Sequence, residues 1–144
     1  MSKLYLLFVI FILCVACATN NDFNKVKLVY VYDGDTFKVN LPCKKEIFCQ
    51  NILVRIKGID TAEISTKNVL QKDKALKAKE FSEEILTSGK ILLKNCTRDK
   101  YFRLLCDVFI IKNNFKYNLS EELLKQNLAL KYNGKNKSDI DTIF

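Results

Sequence analysis

Two short stretches of the chain hold the residues able to do chemistry: Asp33-Gly34-Asp35-Thr36, and Arg55-Ile56-Lys57-Gly58-Ile59-Asp60-Thr61-Ala62-Glu63. Carboxylates gathered on an otherwise cationic chain point to a hard divalent cation. Calcium in particular accepts carboxylates, a backbone carbonyl and several waters with little geometric strictness. Asp35 and Asp60 are the candidate ligands, with the Thr61 carbonyl as a third. Glu63, a short step beyond Asp60, is suited to orient or deprotonate a water beside the ion. Arg55, and Arg103 in the run Asp99-Lys100-Tyr101-Phe102-Arg103, offer planar forks that donate paired hydrogen bonds to a phosphate and stay charged at neutral pH. These are the parts of a phosphodiester-hydrolysing site. Histidine is absent, which excludes every mechanism that needs an imidazole. Each part also has an ordinary counterpart: Asp-Gly-Asp is a common turn signal, Asp-Thr can cap a turn, and isolated arginines are usually solvated. The order and spacing of the set, rather than any single member, carry the reading.

The elements between these residues must bring them together. Val26, Leu28, Tyr30 and Tyr32 alternate with residues of the other face, and Phe37, Val39 and Leu41 do so after the Asp-Gly turn, which predicts a β-hairpin. A loop holding Pro42, Cys43 and Cys49 leads to a third strand over residues 52–59, where the alternation of Val54, Ile56 and Gly58 puts Arg55 on the opposite face. Asp35, starting the second strand, and Asp60, just past the third, meet if those strands are neighbours. Residues 68–87 are rich in Lys, Ala, Leu and Glu, with Ala75, Ala78, Phe81 or Ser82, and Ile85 at helical spacing and Gly89 in a C-cap position. Two further strands follow over 91–96 and 104–111, joined by the polar segment 97–103. Ser120 is the expected N-cap of a second helix ending near Asn127, with Leu119 and Leu124 as a hydrophobic staple. The order β-β-β-α-β-β-α predicts an α+β fold, a five-stranded Greek-key barrel of the OB type carrying surface helices. There is no internal repeat, and residues 134–144 form a polar tail.

A chain of 144 residues fits one domain, and 24 Lys plus Arg against 16 Asp plus Glu give a formal charge of +8, which favours polyanionic partners. After Met1-Ser2-Lys3, residues 4–18 are almost unbroken apolar sequence ending in Ala16-Cys17-Ala18. This predicts a signal peptide over 1–18, with the remaining residues as the exported domain, secreted or periplasmic. At about fifteen residues the run is shorter than the roughly 20 needed for a membrane-spanning helix, so a permanent anchor is the weaker alternative. A lipid on Cys17 is a third. Cys43, Cys49, Cys96 and Cys106 remain outside the leader. An even number in an oxidising compartment makes disulfides the default. Of the three pairings, Cys43 with Cys49 and Cys96 with Cys106 are favoured, the first closing a short loop and the second stapling neighbouring strands. A four-thiolate zinc site is disfavoured because Cys-x-x-Cys pairs are missing.

Taken together, VYDGDTFKV, VRIKGIDTAEI, the Ala/Lys-rich helix, RDKYFR and LSEELLKQNLALKY resemble the staphylococcal-nuclease-like family, also called thermonucleases, over residues 26–132. The resemblance implies an OB barrel with surface helices and calcium-dependent endonucleolytic cleavage of DNA and RNA. A monomer is expected, with no stable protein partner and with membrane contact only through the leader. It implies that Asp35, Asp60 and Thr61 hold Ca2+, Glu63 acts on the water, and Arg55 and Arg103 clamp the scissile phosphate. Lys100 and Tyr101 would contact the terminal phosphate or backbone, Tyr132 would border the nucleotide pocket, and Asp33 would sit behind the ligands. The sequence departs from the family pattern at Ala62, where proline is usual, and at Phe102, where glycine is common. A non-catalytic nucleic-acid-binding OB module is the competing reading.

Overall fold

The computed structural model describes residues 22–43 and 48–132. The predicted leader and polar tail lie outside the described residues. The chain runs β1 (Lys27–Val31), β2 (Thr36–Asn40), β3 (Ile52–Ile56), β4 (Ile59–Asp60), α1 (Val69–Thr87), β5 (Lys90–Arg98), β6 (Leu104–Lys112), β7 (Phe115–Asn118), α2 (Leu119–Lys125) and β8 (Leu130–Lys131). A mixed sheet has the order β1-β2-β3-β6-β5, with β7 added to β6, and β4 pairs with β8 in a separate ribbon. All pairings are antiparallel except β3 with β6, which is parallel. The architecture is α+β, and the described sheet has six strands where five were expected.

Three local differences from the sequence expectation have physical causes. In β1 the register shifts between Leu28 and Tyr30, and this bulge swaps the faces: Val31 is buried while Tyr30 and Tyr32 stand exposed. The expected third strand divides into β3 and β4 because Gly58 turns the chain at φ +75°, a conformation that glycine adopts without a Cβ clash. The extra strand β7 follows Asn113 and Asn114, both at positive φ, as a two-residue hairpin turn requires.

Helix α1 buries Ala75, Ala78, Ser82 and Leu86 along one stripe and is N-capped by Asn68, whose side chain accepts from the Leu70 and Gln71 amides. Ser88, not Gly89, is its C-cap, in a right-handed conformation. Gly89 serves close approach instead, since a Cβ there would lie 2.5 Å from the Ile111 carbonyl oxygen. Helix α2 starts one residue after Asn118, so Asn118 takes the capping role expected of Ser120 and accepts from the Ser120 amide and hydroxyl. The core joins Val31, Phe37, Val39, Val54 and Ile56 to Leu93, Val108 and Ile110 of the later strands, with Leu86 of α1 and Leu119 and Leu123 of α2 packed on it. Both favoured disulfides are present, Cys43–Cys49 and Cys96–Cys106. The second crosses from β5 to β6 at the irregular step between Lys94 and Thr97.

Candidate functional site

The Asp-Gly turn is pressed into place from two sides. A Cβ on Gly34 would lie 2.7 Å from the Ala78 Cβ and 2.8 Å from the Thr61 Cγ2, so only glycine lets the turn approach both α1 and the residue after β4. Ser82 of α1 donates to the Gly34 carbonyl at 2.6 Å, and the Asp35 amide donates to Asp33 Oδ1 at 3.1 Å. Asp35 therefore leaves the turn in a set direction, one residue ahead of β2. Antiparallel pairing puts Thr36 opposite Arg55, and the Ile56 amide donates to the Asp35 carbonyl at 2.9 Å. The expected meeting of the second and third strands holds, and it brings Asp35 and Arg55 side by side.

The Asp35 carboxylate is held by its neighbours. Oδ2 accepts from the Thr61 amide at 2.8 Å and the Thr61 hydroxyl at 3.0 Å, and Oδ1 accepts from the Thr36 hydroxyl at 3.0 Å. Thr61 thus orients a carboxylate through its own N–H and O–H, a contact that reasoning about its carbonyl did not anticipate. Arg55 lies between the two aspartates: Nη1 is 2.5 Å from Asp35 Oδ2, and Nη2 donates to Asp60 Oδ1. Asp35, Arg55, Asp60 and Thr61 are all buried. Nη1 is close to Asp35 but not aligned with it, so this donor lacks a hydrogen-bond acceptor. Arg55 is thus held by ion pairs to both buried aspartates.

These groups floor a cleft of about 590 Å³ whose walls include Glu63, Lys100, Tyr101, Arg103 and Tyr132. Every site residue expected from the sequence lines it except Thr61, which acts through Asp35. Tyr32, Asp33 and Leu53 complete the wall, and sequence reasoning assigned Tyr32 and Leu53 no part in it. A smaller adjoining hollow of about 420 Å³ shares Arg55, Lys100, Tyr101, Arg103 and Tyr132. Tyr132 reaches the cleft because its amide donates to the Gly58 carbonyl at 3.0 Å as β8 pairs with β4.

The loop between β5 and β6 carries the second arginine. Asp99 organises it, accepting from the Tyr101 and Arg103 amides at 2.9 Å each and from Arg103 Nε at 2.7 Å. Burial pushes the Asp99 carboxyl up, but the hydrogen bonds from Arg103 and Tyr101 outweigh it and hold the group below the ordinary carboxylate value. Asp99 is the orienting residue that the sequence reading passed over, and an aspartate opening a tight polar loop was its signal. The Arg103 guanidinium lies 5.4 Å from the Tyr101 ring centre, and the Lys100 ammonium 5.0 Å from it. Phe102 keeps the left-handed conformation suited to a glycine, at φ +63°, with its ring turned out to solvent.

Electrostatically the cleft floor is crowded with like charge. Burial first, and then the adjacent Asp35 carboxylate, push Asp33 up to about 7, and Glu63 adds in the same direction. The donor set is all hard oxygen, which suits a calcium-like ion rather than a soft metal. Among the described residues no group of three or more His, Cys, Asp or Glu side chains stands at metal-binding spacing. A cation here would draw on the Asp35 and Asp60 carboxylates and complete its shell with carbonyl and water oxygens.

The match to "Probable endonuclease LCL3" of Komagataella phaffii (strain GS115) is 27% identical over 92 residues, covering 64% of this chain and 40% of that protein. The chain therefore spans less than half the length of this relative. The family model described as staphylococcal nuclease homologue matches residues 53–143, which begin in β3 and take in Arg55, Asp60, Glu63, Arg103 and Tyr132. The chain belongs to the staphylococcal nuclease family.

Proposed function

We propose that this protein is an exported, calcium-dependent endonuclease that hydrolyses phosphodiester bonds of DNA and RNA. The observation that carries the reading is the convergence in one cleft of Asp35, Asp60 and Glu63 with two guanidinium groups, one of which, Arg55, is buried between the two aspartates. The family, and a relative named as a probable endonuclease, support the same class of reaction.

In this reading Asp35 and Asp60 hold the ion, with Thr61 fixing Asp35 and supplying a carbonyl. Bound there, calcium would polarise a phosphate oxygen and bring a water to the site. Glu63, an exposed residue of the cleft lining, orients that water and takes its proton. Arg55 now neutralises both carboxylates, so it can serve the phosphate only when another cation neutralises them. That condition makes metal dependence a property of this chain's own ion pairs. Arg103, aimed by Asp99, meets the phosphate from the β5–β6 loop, Lys100 and Tyr101 hold the strand, and Tyr132 borders the base.

The sheet is read as a five-stranded OB barrel along the path β1-β2-β3-β6-β5, with β7 as an addition. The paired hydrogen bonds of Phe23 with Leu93, which bring the segment ahead of β1 onto β5, support closure. Export and action as a monomer are part of the proposal. The apolar leader and the two disulfides support export, since such bonds persist in oxidising compartments.

The test incubates the protein with single-stranded DNA in calcium or in chelator, beside Glu63→Gln. Calcium-dependent cleavage that falls steeply in the variant, with oligonucleotide binding retained, is the expected result. Cleavage surviving chelation would reject the mechanism. Binding without cleavage under all conditions would favour the OB binding module.

A further inference from the structure

Outside the cleft floor, the face swap in β1 leaves two aromatic rings in solvent beside Lys79 of α1. Tyr30 is 50% exposed and Tyr32 41%, and their ring centres are 4.8 Å apart, edge to face. Each ring carries an ammonium group: Lys79 of α1 lies 4.8 Å from the Tyr30 ring centre and donates to its hydroxyl at 3.2 Å, and Lys38 of β2 lies 5.3 Å from the Tyr32 ring centre. Tyr32 also forms part of the cleft wall, so the patch is continuous with the candidate active site. Nothing in the core needs these rings, because Val31 between them fills the buried position.

Paired aromatic rings with lysines against them suit one kind of polymer, whose repeating unit offers a flat base and an anionic phosphate. Stacking is tolerant of base identity, and a lysine on its flexible stem can leave the ring for a phosphate. We propose that Tyr30, Tyr32, Lys38 and Lys79 form an extended subsite for single-stranded nucleic acid, taking nucleotides beyond those held in the cleft. The proposal rests on the nuclease reading for its substrate class. It gives a role to the bulge that turns Tyr30 and Tyr32 outward and Val31 into the core.

The test is affinity in chelator, where cleavage plays no part, by fluorescence anisotropy with labelled oligothymidylates of two and nine nucleotides. Tyr30→Ala should weaken the nonamer about tenfold more than the dinucleotide, the loss of one stacked base, while Tyr30→Phe keeps the affinity. Lys79→Gln should weaken the nonamer selectively and lower its salt slope by about one. If Tyr30→Ala fails to fold, the surface change Lys79→Gln carries the test. Equal losses at both lengths would overturn the proposal, as would an equal loss against heparin of matched charge, or failure of the unmodified protein to bind the nonamer. Length-selective loss in chelator without calcium-dependent cleavage would uphold the subsite while refuting the hydrolytic reading.

Discussion

Replacing Arg55 by Gln tests the central electrostatic idea, that this guanidinium and a divalent ion compete for the same two carboxylates. The side chain is buried and lies against both Asp35 and Asp60. Removing one partner of a buried pair costs about 3–5 kcal/mol, because the remaining charge has lost its compensation. Asp35 keeps three donors from Thr36 and Thr61, which places the expected loss near the lower end, about 3 kcal/mol. For a domain of this size that is a fall in Tm of roughly 10–15 °C in chelator. Saturating calcium at about a hundred times its Kd adds about 2.7 kcal/mol to any protein that binds it only when folded. The variant should bind the ion more tightly than the parent, since no guanidinium has to be displaced from the carboxylates. Its Tm should therefore rise more on adding calcium than the parent's does. Thermal unfolding of both proteins with calcium and with chelator closes the cycle. An equal or smaller calcium shift in Arg55→Gln would refute the competition, and with it the account of metal dependence given above.

Three other outcomes are expected. Phe102→Gly should stabilise the protein by about 0.5–1 kcal/mol, the relief of a left-handed residue less the extra freedom of glycine in the unfolded chain, whereas Phe102→Ala should change little; denaturant midpoints that rank alanine above glycine would refute backbone strain. Asp33 binds its proton more readily in the folded state, at about 7 against an ordinary 3.8, so its contribution to stability is greatest near pH 4, falls as pH rises through 7, and is level above; Asp33→Asn should remove that decline in chelator-treated protein, and an unchanged pH profile of urea midpoints would count against it. Converting both Cys96 and Cys106 to Ala should cost about 2.5–3 kcal/mol for releasing a loop of this length, read by equilibrium denaturation, and a loss below about 1 kcal/mol would show that the bridge adds little beyond the β5–β6 ladder.

Much of the site was legible because its groups lie at the ends of elements with strong local signals. The Asp-Gly turn placed Asp35 at the head of β2, where it was expected to meet Asp60 if the second and third strands were neighbours; that pairing is present, and the ion pair with Arg55 that it creates was not part of the expectation. The disulfides were legible from parity and from the nearness in sequence of each pair. What escaped were effects that depend on tertiary contact. The β1 bulge reversed the faces of Tyr30, Val31 and Tyr32, and an alternation of apolar residues cannot reveal an inserted residue. Gly34 reads as a turn former, yet its necessity comes from Ala78 and Thr61, distant in the chain. β7 was passed over because Phe115, Lys116 and Tyr117 are exposed at the sheet edge and show no buried face, although the preceding asparagine pair carried the hairpin signal. Thr61 was expected to offer its carbonyl, and the structure shows its amide and hydroxyl at work on Asp35.

The parallel joint between β3 and β6 ties Val54, Arg55 and Ile56 to Leu104, Leu105 and Cys106, and β8 brings Tyr132 back to Gly58. The lining of one cleft is thereby supplied by segments far apart in the chain, with α1 between them in sequence. The cleft takes its full lining only when strands from both halves of the described chain have paired. In a molecule that hydrolyses nucleic acid as proposed, activity would report on whether these distant strands have joined.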